Sequence, residues 1–127
     1  MQYHLGLRVL LVEDNPLVAT AIEDVLAEAR YSIVEPFRAS AGAPPALPKQ
    51  LDVALLDVSP HGGSSFEFAA ELGRRGIPFA FVSTESKALL PAEYRDRPFL
   101  AKPFAAPQLL QTISTLAAAP SQLALPV

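Results

Sequence analysis

The chain contains no cysteine, which excludes disulfide bonds and thiolate metal sites. It also lacks any run of lysine or arginine, and its 13 acidic residues outnumber the 10 basic ones, for a formal charge of −3. Such a charge does not supply the positive patch that binding to a nucleic acid backbone needs. We therefore do not expect nucleic acid as a direct partner.

Long apolar runs are missing as well. No stretch approaches the roughly 18 apolar residues of a membrane-spanning helix, and residues 1–5 lack the features of a signal peptide. We expect a cytoplasmic protein with no membrane partner. Half of the 127 residues are hydrophobic and 18% are charged, a composition typical of a folded chain. This predicts a single domain over 1–127, with a core at about 7–118 and a tail at 119–127.

Short apolar segments alternate with stretches of helical periodicity along the chain. The strand candidates are residues 7–12, 32–35, 52–57, 78–82 and 98–101. Helical spacing is found at about 16–30, 64–73 and from 107 onward, and the Ala/Pro stretch at 39–48 leaves room for only a stunted helix. This alternation predicts an α/β fold with a doubly wound, flavodoxin-like parallel sheet of order 2-1-3-4-5.

Two of the helices have recognisable starts. Asn15 followed by Pro16 is typical of an N-cap with proline at the first helical position. Ser64 and Glu67 are spaced as a capping box. The apolar positions that we assign to the second of these helices are Phe66, Ala69, Ala70 and Leu72.

The segment between the fourth and fifth strands is short for a helix and two connections. Residues 85–97 include Pro91 near the middle, which would break or kink a continuous helix at a cost of about 3 kcal/mol. Residues 93–97 are nearly all charged and offer few side chains that could pack against the sheet. The sequence predicts a shortened or irregular, mobile fourth helix.

Acidic residues follow two strands that should be neighbours in the sheet. Glu13 and Asp14 follow the first strand, and Asp57 ends the third. Ligands of such sheets bind beyond the carboxyl ends of the strands, and carboxylates that converge there need a cation. Magnesium is suitable because it takes oxygen ligands and keeps open positions. Asp57 could then attack phosphorus as a nucleophile, assisted by Lys102 and Ser83 at the ends of two further strands.

Four separated motifs resemble those of response regulator receiver domains, in order and approximate spacing, over about residues 7–118. They are Val-Glu-Asp-Asn-Pro at 12–16, Leu-Leu-Asp-Val at 55–58, Val-Ser-Thr at 82–84 and Ala-Lys-Pro-Phe at 101–104. The resemblance implies a phosphoacceptor, not an enzyme. A histidine kinase would be the donor, a downstream protein the output partner, and the chain would be a monomer or weak dimer.

The resemblance also implies roles for individual residues. Asp14 and Asp57 would bind Mg²⁺ directly, Glu13 would act mainly through a metal-bound water, and Ser59 would contribute its main-chain carbonyl. Phe99 would be the aromatic switch residue and would act together with the hydroxyl of Ser83. The peptide bond between residues 102 and 103 would be cis, which X-Pro chemistry permits.

A narrower resemblance concerns residues 78–83, Pro-Phe-Ala-Phe-Val-Ser. This run is similar to a subgroup of single-domain receivers from α-proteobacteria, whose motif continues with Thr-Gly. The chain has Ser83-Thr84 instead. Thr84 is therefore a competing candidate for the hydroxyl donor, although the strand register from Pro78 favours Ser83.

Other functions remain open from the residues alone. A flavin or phosphorylated-cofactor binder would share the fold, but Glu13 and Asp14 would repel a phosphate that lacks a metal. A haloacid-dehalogenase-like phosphatase would need a second aspartate where Ser59 stands. A degenerate receiver would act as a phosphorylation-independent binding module. We assign no role to His4 or His61.

Overall fold

A parallel sheet of five strands organises the molecule. The computed structural model describes residues 6–34, 47–58 and 64–118. The sheet order is β2-β1-β3-β4-β5, with all neighbouring strands parallel, as predicted. The strands are β1 (Arg8–Val12), β2 (Ser32–Val34), β3 (Val53–Asp57), β4 (Phe79–Ser83) and β5 (Phe99–Ala101).

Three α-helices lie within the described residues: α1 (Pro16–Glu28), α2 (Ser64–Arg74) and α3 (Ala106–Ala118). The predicted start of α1 is confirmed, because the Asn15 side chain accepts hydrogen bonds from the main-chain N–H groups of Leu17 and Val18. A left-handed residue, Arg30 (φ 66°), follows the helix. None of these helices combines the length and apolarity needed to cross a bilayer.

The core has one layer on each face of the sheet. On one face, α1 and α3 pack against the strands through Ile22, Leu26, Leu109, Ile113 and Leu116. On the other face lies α2, whose Phe68 and Leu72 pack against the strands there. Two of the three interior strands, β3 and β4, are buried along their whole length, as expected for parallel strands covered on two sides.

The buried face of α2 differs from the sequence assignment. Phe68 is buried and Ala70 is exposed, whereas the periodicity had included Ala70 and left out Phe68. Ser64 is the first residue of α2, so the helix begins one residue earlier than a Ser64 cap would place it. The predicted stunted helix at 39–48 lies mostly outside the described residues.

The β4–β5 connection, residues 84–98, contains two 3₁₀ turns in place of a fourth α-helix. They are Lys87–Leu89 and Ala92–Tyr94, with Pro91 between them. The predicted shortening at the proline is confirmed. Because Pro91 has no N–H to donate, a continuous helix through it would be broken or kinked.

The expectation that residues 93–97 would pack little against the sheet is wrong. The Tyr94 ring stacks on Phe66 of α2 at 5.8 Å, with 6° between the planes. It also meets Phe81 and Phe79 of β4 edge-on, at 5.3 and 6.3 Å. The Arg97 guanidinium lies 4.6 Å from the centre of the Phe79 ring. One aromatic residue in a charged stretch thus anchors the second half of the connection.

Candidate functional site

Polar side chains converge where four neighbouring strands end. Glu13 directly follows β1, Asp57 is the last residue of β3, Ser83 is the last residue of β4, and Lys102 directly follows β5. All four strands run in the same direction, so their carboxyl ends meet at one edge of the sheet. Ser83 belongs to β4 because that strand extends one residue beyond the predicted end at 82.

Lys102 connects the two buried carboxylates. Its Nζ donates to Asp57 Oδ1 at 2.7 Å and to Glu13 Oε1 at 2.9 Å. The side chains of Glu13 and Asp57 are only 2% and 8% exposed, and that of Lys102 is 15% exposed. One ammonium therefore faces two carboxylates in a water-poor setting, where electrostatic interactions are strong. An excess of negative charge remains.

This arrangement raises the pKa of Asp57 above its ordinary value of 3.8. Burial is the largest cause, because removal from water disfavours the ionised form. The hydrogen bond from Lys102 lowers the pKa, and the nearby charge of Glu13 raises it again. Since the carboxylates outnumber the ammonium, the attraction of Lys102 does not offset burial and repulsion. A positive charge near Asp57 would relieve this imbalance.

The pKa of Lys102 is raised above 10.5. Burial by itself lowers this pKa, because it disfavours the charged ammonium. The hydrogen bonds to Asp57 and Glu13 and their charges act in the opposite direction and outweigh it. Lys102 is thus a cation throughout the physiological pH range.

Glu13 and Asp14 have different environments, although they are adjacent in the sequence. Both carboxylate oxygens of Glu13 are engaged, Oε1 by Lys102 and Oε2 by the main-chain N–H of Asn15 at 3.1 Å. Asp14 is exposed. The structure thus brings Glu13 and Asp57 together through Lys102, whereas the Asp14 side chain faces solvent.

The donor chemistry of the site fits Mg²⁺. Among the described residues, no three carboxylate or imidazole groups lie close enough together to hold a metal ion by themselves. The predicted set, however, consists of two carboxylates and a main-chain carbonyl, and that carbonyl belongs to Ser59, which lies outside the described residues. The excess negative charge around Asp57 and the hard oxygen donors are what this ion prefers.

The two hydroxyl candidates at the end of β4 are clearly distinguished. Ser83 is buried, and its hydroxyl donates to the main-chain carbonyl of Val58 at 3.2 Å and accepts from the N–H of Glu85 at 2.9 Å. Thr84 is exposed. Ser83 therefore lies against the residue that follows Asp57, as the strand register suggests.

Phe99 lies half-buried on β5, where its register partner on β4 is Phe81. It lines a mainly apolar cavity of about 320 Å³ whose other walls are Val58, Ser83, Glu85, Ser86, Leu89 and Leu90. The cavity offers space for a change in side-chain position between Ser83 and the β4–β5 connection. The Lys102–Pro103 peptide bond is cis, which confirms the expectation from the motif. His61 lies outside the described residues.

Ser65 is a residue near the site that the sequence reading missed. It is buried, and its hydroxyl donates to the main-chain carbonyl of Asp57. The signal was present in the spacing, because residues 65, 68, 69 and 72 follow the i, i+3, i+4, i+7 pattern of a single helix face. A lone serine on an otherwise apolar face calls for a hydrogen-bonding partner.

Solved structures with the same fold include two of SdrG and one of the response regulator protein TrrA. The solution structure of SdrG from Sphingomonas melonis Fr1 is 31% identical, with a TM-score of 0.68 over 87% of this chain and 95% of that one. The beryllofluoride-activated conformation of SdrG from Pseudomonas melonis Fr1 is 29% identical, with a TM-score of 0.69 over 90% and 98%. Response regulator protein TrrA from Thermotoga maritima, in complex with Mg²⁺ and beryllofluoride, is 18% identical, with a TM-score of 0.67 over 87% and 98%. At this last identity the likeness concerns the fold alone. Searches of protein-family models and of curated proteins found no match.

Proposed function

Because the chain belongs to the family of response regulator receiver domains, we propose that it accepts a phosphoryl group on Asp57 from a histidine kinase. In this proposal Mg²⁺ is the cofactor, and the phosphorylated chain signals to a downstream protein by a change of conformation. The supporting observation is the contact of Lys102 with both Asp57 and Glu13 at the sheet edge.

The environment of Asp57 suits a nucleophile. Its raised pKa means that the ionised carboxylate is destabilised, which makes the oxygen more basic than that of an exposed aspartate. In the transfer, a carboxylate oxygen forms a bond to phosphorus, the P–N bond of a phosphohistidine breaks, and the imidazole nitrogen keeps the electron pair. Bound Mg²⁺ would supply neutralisation of the transferred oxygens.

Lys102 and Ser83 would recognise the product. After transfer, the negative charge at Asp57 increases, and the Lys102 ammonium can pair with phosphoryl oxygens through charge-assisted hydrogen bonds. The Ser83 hydroxyl can leave the Val58 carbonyl and donate to the same group. That exchange would be transmitted to Phe99 and the β4–β5 connection through the cavity that they share.

Lys102→Ala should therefore be labelled but should show no conformational change on phosphorylation, as judged by its NMR spectrum.

The first test is labelling of the purified chain with acetyl phosphate and Mg²⁺, read by intact-mass spectrometry. We expect the wild type to gain one phosphoryl group and Asp57→Asn to gain none. Asp24→Asn is the matched control, because Asp24 is an exposed carboxylate of α1. Labelling of Asp57→Asn at the wild-type level would refute the assignment. Phosphotransfer profiling against the histidine kinases of the source organism would then identify the donor.

A surface groove beside Lys102 suits the approach of a protein donor. It has a volume of about 470 Å³, its exposed lining is mainly apolar, and it is bordered by Leu17, Val18, Ala21, Thr84, Lys102, Pro103 and Phe104. Leu17 is 80% exposed. A partner seated here would reach Lys102 and hence Asp57, so we propose it as the kinase-binding surface.

The groove can be tested with Leu17→Glu, which places a charge at the centre of an apolar contact. We expect phosphotransfer from the identified kinase to slow by at least about tenfold, equivalent to about 1.4 kcal/mol, with labelling by acetyl phosphate unchanged. Leu89→Glu is the control, because Leu89 is also largely exposed but lies on the β4–β5 connection. Equal kinase rates in both variants would reject the surface.

A further inference from the structure

Two buried hydroxyl groups hold the main chain where it leaves the central strand. Asp57 ends β3 and Val58 follows it, and the carbonyls of these consecutive residues each accept a hydrogen bond from a serine. Ser83 of β4 donates to the Val58 carbonyl at 3.2 Å. Ser65 of α2 donates to the Asp57 carbonyl. The chain is therefore held from the neighbouring strand and from the helix that covers it.

Packing does not explain Ser65. The residue is 3% exposed and shares a helix face with Phe68, Ala69 and Leu72, all of which pack against the sheet. An alanine would fit such a face without burying a polar group. A buried hydroxyl costs free energy unless it is hydrogen-bonded. What Ser65 adds is the bond to Asp57, the residue at the centre of the site.

We infer that Ser65 is a positioning residue for phosphoryl transfer, an inference that rests on the proposed function of Asp57. Its hydroxyl holds the carbonyl end of the peptide group between Asp57 and Val58, whose N–H end donates to the Val82 carbonyl at 2.9 Å. The orientation of that peptide group sets the direction in which the carboxylate leaves the main chain towards Lys102. Reacting groups must be held closely, since a misplacement of about 1 Å can slow a reaction about a hundredfold. Ser65 does not touch the carboxylate and acts through the main chain.

The two serines have different tasks during the switch. Under the proposed function, the Ser83 hydroxyl turns to the phosphoryl group and gives up the Val58 carbonyl. Ser65 comes from a different element and contacts a different carbonyl, so its hydrogen bond is not broken by that movement. Ser65 thereby keeps the main chain of Asp57 in place while Ser83 changes partner.

The test measures the rate of phosphorylation by acetyl phosphate with Mg²⁺ over a range of donor concentrations. In Ser65→Ala, we expect the maximal rate to fall by about tenfold or more, with an unchanged half-saturating donor concentration. Ser65→Thr keeps the hydroxyl and should recover most of the rate. Ser32→Ala is the control, because Ser32 is an exposed serine of β2, and it should match the wild type. If Ser65→Ala does not fold, Ser65→Cys replaces it, since a thiol of similar size is only a weak donor.

The outcomes separate this inference from the proposed function. A wild-type maximal rate in Ser65→Ala or Ser65→Cys overturns the positioning role, and so does a loss that Ser65→Thr does not restore. A second readout is the carbonyl ¹³C chemical shift of Asp57, which should move in Ser65→Ala and return in Ser65→Thr. Failure of the proposed function appears elsewhere, as undiminished labelling of Asp57→Asn.

Discussion

At the scale of single residues, the contacts of Lys102 limit which of the neighbouring carboxylates can bind a metal directly. Lys102 donates to Oε1 of Glu13, and the Asn15 N–H donates to Oε2. Glu13 therefore has little freedom to bind a metal directly. Asp14 has no such constraint, because its side chain is exposed. Adjacent carboxylates thus differ in the role open to them.

We therefore expect Mg²⁺ affinity to depend on Asp14 more than on Glu13. Asp14→Asn removes the charge of the proposed direct ligand and should weaken binding by at least about tenfold, or about 1.4 kcal/mol. Glu13→Gln should have a smaller effect, because its contact with the ion would pass through water. Isothermal titration calorimetry of the two variants and the wild type measures the difference. Equal affinities in all three proteins would contradict direct ligation by Asp14.

At the scale of elements, the β4–β5 connection has two unlike halves. The first half ends in Leu89, which is 70% exposed, whereas Leu90 is buried. The second half is anchored by Tyr94 between α2 and β4. We therefore expect the predicted mobility to be concentrated in residues 85–89, next to Ser83 and the cavity lined by Phe99.

Amide hydrogen exchange should show this division. In the unphosphorylated protein, we expect residues 85–89 to exchange faster than residues 90–97, and beryllofluoride with Mg²⁺ to slow exchange in the first half. Tyr94→Ala removes aromatic contacts that contribute about 0.5–1.5 kcal/mol each and should speed exchange at Arg95 and Arg97. Leu89→Ala is the control and should leave both amides unchanged. Uniform protection across the connection in the wild type would refute the division.

At the scale of the whole molecule, the sheet edge carries a stability cost that depends on pH. The folded-state pKa of Asp57 is raised above the unfolded value of 3.8, chiefly by burial. At a pH above the folded pKa, ionised Asp57 destabilises the fold. Below pH 3.8 the residue is protonated in both states, and this cost is absent.

Asp57→Asn should consequently raise the melting temperature at neutral pH, and the gain should shrink as the pH falls towards 3.8. Asp52→Ala is a control of opposite sign, because the Asp52 carboxylate accepts a hydrogen bond from the Arg8 main-chain N–H at 2.8 Å, and alanine has no acceptor to replace it. Calorimetry of both variants between pH 4 and 8, relative to the wild type, measures the two trends. An Asp57→Asn protein that melts below the wild type at neutral pH would contradict the pKa direction.

Much of the architecture could be predicted from the sequence because local rules suffice for it. Apolar runs that alternate with helical spacing allow few arrangements other than a parallel sheet covered on both faces. Asp57 ends one predicted strand, and Glu13 and Lys102 each follow another. Because the strands are parallel, all three residues lie at the same edge of the sheet. Pro91 lacks an N–H, so a continuous helix across the β4–β5 connection was disfavoured from the sequence alone.

Only the tertiary structure decided which groups touch. Residues 13, 57 and 102 are far apart in the chain, and no local pattern shows that one ammonium bridges both carboxylates or that Glu13 is engaged while Asp14 is free to face solvent. The contacts of Tyr94 could not be predicted from its charged neighbours in the sequence, because its partners, Phe66, Phe79 and Phe81, belong to other elements. The spacing of Ser65 indicates a buried position, but it does not identify the hydrogen-bond partner. The Asp57 carbonyl, eight residues earlier, comes within reach only once α2 has packed on the sheet.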